Sequence, residues 1–156
     1  MKLHLYIYFL FTYIMVTANA HAENLNEKYI HEFLVAVDEM SVNKNVAGIG
    51  EFLSDDVVIT MHISVLGNLQ THTANKEQYL AMLAQGWEIA ENYKYSRKGV
   101  EIKYLDEGKK ALITATVYES MIVEGTAIRS TSTEAVIVER QNGKTLIIKM
   151  TGETSM

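Results

Sequence analysis

From about Asn92 to Thr151 the chain alternates apolar and polar side chains, and this alternation constrains the fold more than any other feature. A period of two belongs to β-strands, whose successive side chains point to opposite faces. Turn signals at Asp106-Glu107-Gly108-Lys109 and Gln141-Asn142-Gly143-Lys144, with a tight reversal at Glu124-Gly125, divide the run into long antiparallel strands. On one of them Ile113, Ala115, Val117, Glu119, Met121 and Val123 share a face, while Leu112, Thr114, Thr116, Tyr118, Ser120 and Ile122 share the other. Both faces are half apolar, so both are expected to be covered. The chain's own helices would cover one and a second subunit the other.

The residues before this sheet supply those helices. Tyr29, Phe33, Val37 and Met40, flanked by Ile30 and Leu34, form a stripe at helical spacing over 25–40, with Asn24 and Glu27 placed as a capping box. A shorter helix fits 44–53, weakened by Gly48 and Gly50 at about 1 kcal/mol each. Ser54-Asp55-Asp56 breaks into a β-branched strand over 57–64, a turn follows at 66–68, and 70–73 returns as a short strand. Asn75 with Gln78 caps a third helix carrying Tyr79, Leu80, Leu83 and Trp87 on one side.

Residues 1–22 read as a signal peptide. Lys2 precedes the uncharged apolar run Leu5 to Val16, and Ala18-Asn19-Ala20 and Ala20-His21-Ala22 are small-x-small cleavage sites. That run is too short for an ordinary membrane span. The expectation is a secreted, periplasmic protein with one domain over 23–156 and no membrane association after cleavage. All 19 acidic residues but only 13 of the 14 basic ones lie beyond the leader. Such an acidic chain is a poor partner for nucleic acid or an anionic membrane. There is no Cys and no Pro, which excludes thiol catalysis and thiolate metal sites.

This order of elements resembles the nuclear transport factor 2-like superfamily, which includes ketosteroid isomerases and polyketide cyclase-like enzymes. Phe52-Leu53-Ser54-Asp55-Asp56-Val57-Val58 resembles its helix-to-strand junction, and Thr131 to Ile148 resembles its final hairpin. The resemblance implies an α+β cone, with three N-terminal helices packed on a strongly bent, mostly antiparallel sheet around an interior pocket. It also places Phe33, Met61 and Ala135 where an isomerase keeps its oxyanion-holding Tyr, general-base Asp and protonated Asp. All three roles are then vacant, which argues against that chemistry.

Candidate polar residues are Glu119 and Arg129, expected to face each other across the reversal. They would act either as a paired acid and guanidinium forking a carboxylate ligand or as a cross-strand salt bridge. Glu119 is also the one weak catalytic candidate. Phe33, Met61, Trp87, Tyr104, Ile148 and Met150 are expected to wall the cavity, with Tyr79, Tyr93, Tyr95 and Tyr118 as further aromatic candidates. His31 begins a zinc-protease-like helix motif, but Val35 stands where the second His is needed, and His62 is expected on the face opposite Met61. No metal or cofactor is implied. The reading is a homodimeric, non-catalytic binder of a small apolar or carboxylate-bearing ligand. Two alternatives accompany it: an isomerase-like or cyclase-like acid–base enzyme, and a dimerisation module with a filled cone.

Overall fold

The computed structural model describes residues 24–65 and 67–155. The expected leader, 1–22, and Leu66 of the expected turn lie outside the described residues. The elements run α1 (Glu27–Val42), α2 (Val46–Gly50), β1 (Leu53–Val65), β2 (Asn68–Ala74), α3 (Lys76–Ile89), β3 (Glu91–Leu105), β4 (Lys110–Val123), β5 (Thr126–Gln141) and β6 (Lys144–Ser155). The strands form one curled sheet in the order β2-β1-β6-β5-β4-β3. All neighbours are antiparallel except β1 and β6, which run parallel. The α+β architecture expected from the alternation is the one observed.

The helices start where side chains satisfy their free N–H groups. α3 carries the capping box expected of Asn75 and Gln78. α1 is capped instead by Asn26, whose side chain accepts from the Tyr29 amide at 3.0 Å. Asn24 is displaced from that role because the chain there is tied to the turn between β3 and β4: the Leu25 amide donates to Gly108 O at 2.8 Å. α2 is shorter than expected. Ile147 N donates to Phe52 O at 2.7 Å and Leu53 pairs with Ile147, so the chain is already in the sheet at Leu53. Gly48 of α2 permits a close approach, since a Cβ there would lie 2.3 Å from Met40 Sδ.

One continuous core lies between the helices and the inner sheet face. Ile30, Phe33 and Val37 of α1 meet Ile59 of β1, Ile113 of β4 and Val138 of β5, all buried. Burial alternates along β4, with Ala111, Ile113, Ala115 and Val117 inside, as period-two patterning requires. Among the described residues no helix is long and apolar enough to cross a membrane.

Candidate functional site

The inner sheet face is not filled by this core. Between it and the helices lies a cavity of about 220 Å³. Strand register explains where the room comes from. Met61, Gly152, Glu134 and Ala115 form one row across β1, β6, β5 and β4. Two of the four have little or no side chain, and a Cβ built on Gly152 would meet nothing within 4 Å. In the next row Thr154, Ser132, Val117 and Arg97 stand side by side, followed by Ser130, Glu119 and Tyr95. The helices contribute Phe33, Val37 and Ser41 from α1, with Tyr79, Leu83 and Trp87 from α3. Lys44 holds the Trp87 end of α3 in place, donating from Nζ to Trp87 O and Ala90 O, each at 3.0 Å.

The walls are mostly apolar, and the polar groups form separate bonded sets on neighbouring rows of the sheet. Tyr93 Oη donates to Glu119 Oε1 at 2.5 Å, and Ser130 Oγ donates to Glu119 Oε2 at 3.3 Å. Arg97 Nη2 donates to Tyr95 Oη at 2.8 Å, and Tyr95 Oη donates to Asp38 Oδ1 at 3.1 Å. The same Nη2 lies 3.3 Å from Asp38 Oδ1 and 3.9 Å from Glu134 Oε2.

Burial sets the electrostatics. Glu134 keeps 20% of its side-chain surface accessible, and it lines the cavity. Desolvation pushes its carboxyl up to about 7; Arg97 opposes the rise, while Glu119 and Asp38 add to it. Burial also holds the Tyr79, Tyr93 and Tyr95 phenols above their ordinary range, helped at Tyr93 by the Glu119 carboxylate. For Arg97 burial disfavours the cation, but Tyr95, Glu134 and Asp38 more than restore it. At neutral pH the site therefore holds a fixed guanidinium, neutral phenols and one carboxyl poised between its two states.

Several residues expected at the site are there, and others are not. Phe33, Met61, Trp87, Glu119 and Met150 line the cavity, as do Tyr79, Tyr93 and Tyr95. Arg129 does not face Glu119. Glu124 and Gly125 both have positive φ, 49° and 78°, and form a two-residue turn that pairs Val123 with Thr126. Counting back, Glu119 faces Ser130, and Arg129 faces Ser120 on the exposed outer side. A one-residue difference in register moves a side chain to the other face.

Ile148 is replaced in the lining by Ile147. Val138 pairs with Ile147 and Ile137 with Lys149, so Ile148 is the extra residue of a β-bulge that resets the alternation before Met150. Tyr104 pairs with Ala111 near the end of edge strand β3, where it is 41% exposed and outside the cavity. Tyr118 points outward, opposite Thr131. His62 lies on the outer side with its Nδ1 2.9 Å from Thr71 Oγ1.

The inward carboxyl of β5 is the main residue that sequence reasoning missed. Ala135 faces away, while its neighbour Glu134 lines the cavity, so a carboxyl stands one residue from the position read as vacant. Arg97 was visible in the Tyr93-x-Tyr95-x-Arg97 alternation, but nothing in that pattern gave it a partner.

No protein-family model and no curated protein matches the sequence. Solved structures do match it. A nuclear transport factor 2-like protein from Cytophaga hutchinsonii superposes with a TM-score of 0.65 at 13% identity, covering 83% of this chain and 98% of that one. The fold is nuclear transport factor 2-like. A scytalone dehydratase-like protein from Novosphingobium aromaticivorans gives 0.66 at 10% identity and 83% of each chain. A calcium/calmodulin-dependent protein kinase II association domain-like protein from Xanthomonas campestris gives 0.62 at 13% identity, covering 83% of this chain and 88% of that one. The nuclear transport factor 2-like fold thus carries differently named functions at similar distances from this chain, and the likeness extends to fold alone.

Proposed function

We infer that this chain is an exported, periplasmic small-molecule-binding domain that works without catalysis and pairs as a homodimer through the outer face of its sheet. The cavity is the observation that carries the reading. Its 220 Å³ is smaller than the roughly 300–1,000 Å³ of drug-sized pockets. It is larger than the ~150 Å³ apolar cavity that accepts benzene. The ligand class is therefore one ring or its equivalent, held by apolar walls and oriented at the polar cluster. Export rests on the charge and hydropathy pattern of residues 1–22. The dimer is supported by apolar side chains left open on the outer face, with Tyr118 43% and Leu69 69% exposed.

Native mass spectrometry of the protein from its host's periplasm tests this reading. A dimer carrying a co-purified molecule of about ring size is expected. An empty dimer that also takes up no small ring compound would return the weight to a dimerisation module, the role suggested by the name of the kinase association domain-like neighbour. A precursor of unchanged mass would remove the export.

Glu134 favours a second reading, an acid–base enzyme of the kind the dehydratase-like neighbour's name suggests. A carboxyl near pH 7 in an apolar cavity can give or take a proton under ordinary conditions. This transfers the acid–base role from Glu119, whose two oxygens accept from Tyr93 and Ser130, to Glu134. A Glu134→Gln variant separates the readings: a catalyst would lose turnover by ~10²-fold or more, whereas a binder would change only its affinity.

A further inference from the structure

We propose that the cavity takes an uncharged, ring-sized molecule bearing an oxygen acceptor, and that the Arg97 guanidinium is its anchor. The inference rests on the binding reading above and adds the ligand's chemistry. Arg97 lines the cavity with a side chain only 9% exposed. Its contacts to Tyr95, Asp38 and Glu134 all fall on one nitrogen, Nη2. Nε is enclosed and has no hydrogen-bond partner among the described residues. An unpaired buried donor is costly, and more so on a charged group. Nε itself offers no accessible surface, so an acceptor entering the cavity would pair with it only after the arginine side chain turns, and would otherwise engage the guanidinium away from Nη2.

Charge selects against ionised ligands. Among the described residues Arg97 is the only cationic side chain in the lining, and it already faces Asp38 and Glu134, with Glu119 close by. A ligand carboxylate would bring a fourth acid to one guanidinium. The carboxyl of Glu134, held up by burial and by Glu119 and Asp38 against the pull of Arg97, marks how poorly the site accepts more negative charge. A ligand ammonium would meet the guanidinium and leave Nε unpaired. A neutral carbonyl, ether or amide oxygen avoids both conflicts. The apolar remainder of such a molecule would lie against Phe33, Leu83 and Trp87.

Four probes of similar size test this by NMR titration of the purified protein: cyclohexanone, toluene, benzoate and cyclohexylammonium. Cyclohexanone is expected to bind at least as tightly as the more apolar toluene, with both ions about 10-fold weaker or worse. Arg97→Met is expected to weaken cyclohexanone about 10-fold or more, the worth of a hydrogen bond to a charged donor, and to leave toluene nearly unchanged. Tighter binding of benzoate or cyclohexylammonium than of cyclohexanone overturns the proposal, as does equal weakening of cyclohexanone and toluene by the substitution. If Arg97→Met does not fold, the ranking on the unaltered protein decides alone. Binding of toluene more tightly than cyclohexanone removes only this inference. Failure of all four probes removes the binding reading with it.

Discussion

Arg97 Nη2 lies 3.9 Å from Glu134 Oε2, reaching diagonally across β4 from the Val117 row into the adjacent Ala115–Glu134 row on the inner face of the sheet. The gap is too long for a hydrogen bond. The cation moderates the carboxyl but does not hold it ionised, and Glu134 titrates at about 7. The charged and titratable groups around it include Arg97 and Tyr95 from β3, Asp38 from α1, Glu119 from β4 and Tyr79 from α3.

This arrangement fixes how stability varies with pH. The folded carboxyl titrates near 7 and the unfolded one near 4.5. Between these values the folded state keeps a proton that the unfolded state has lost, so stability falls as pH rises through the window. Below it both states are protonated, above it both are ionised, and the slope from this group vanishes. The full difference is about 3 kcal/mol. Glu134→Gln removes the titration. Urea unfolding at pH 5 and pH 8 should therefore show the variant gaining on the native chain at the higher pH. An equal effect of the substitution at both values would show that Glu134 ionises normally.

The Tyr93–Glu119 hydrogen bond, at 2.5 Å, should be one of the stronger polar contacts of the site. Tyr93→Phe leaves Glu119 Oε1 without its donor while Ser130 still serves Oε2. A loss of about 1.5–3 kcal/mol is expected, the range for a hydrogen bond to a charged group. Adding Glu119→Gln, which removes the stranded charge, should recover part of it. Strict additivity of the two losses in thermal unfolding would mean that the residues are not coupled.

The fold was legible because its signals are local and repeated: period-two alternation for the strands, a 3.6 period for α1, and the Asn75–Gln78 capping box. The site was half legible. Phe33, Met61, Trp87 and Met150 follow from apolar patterning, since whichever apolar face turns inward becomes the wall. Arg129 and Ile148 failed because each depends on a parity that one residue reverses, at the Glu124-Gly125 turn and at the β6 bulge. Tyr104 failed for another reason: its register is inward, but the helices do not cover its end of the edge strand. Arg97, Asp38 and Glu134 come together from β3, α1 and β5, and no spacing in one sequence announces a cluster built from such distant elements.

The turn that sets the Glu119 register can be tested directly. Both of its central residues are left-handed, an arrangement that suits Asn-Gly better than Glu-Gly. Glu124→Asn should leave stability unchanged or raise it by a few tenths of a kcal/mol. Gly125→Ala, which places a Cβ at φ 78°, should cost about 1 kcal/mol. Chemical denaturation of both variants would measure the contrast. If Gly125→Ala is the more stable of the two, the turn geometry differs from the one described.

Gly152 gives the sharpest separation of stability from binding. It sits in the interior of β6, where glycine weakens a strand, and open space lies where its side chain would project. Its row neighbours are Glu134 and Met61, so a larger residue would grow into the cavity beside the polar cluster. Gly152→Val adds a β-branched side chain with strand preference and apolar contact, and a gain of up to about 1 kcal/mol is expected. The same branches occupy the room a ring would need. Thermal unfolding should rise while uptake of toluene or cyclohexanone is lost. A variant that is stabilised yet still binds both probes would place the binding volume away from the Met61–Gly152–Glu134–Ala115 row.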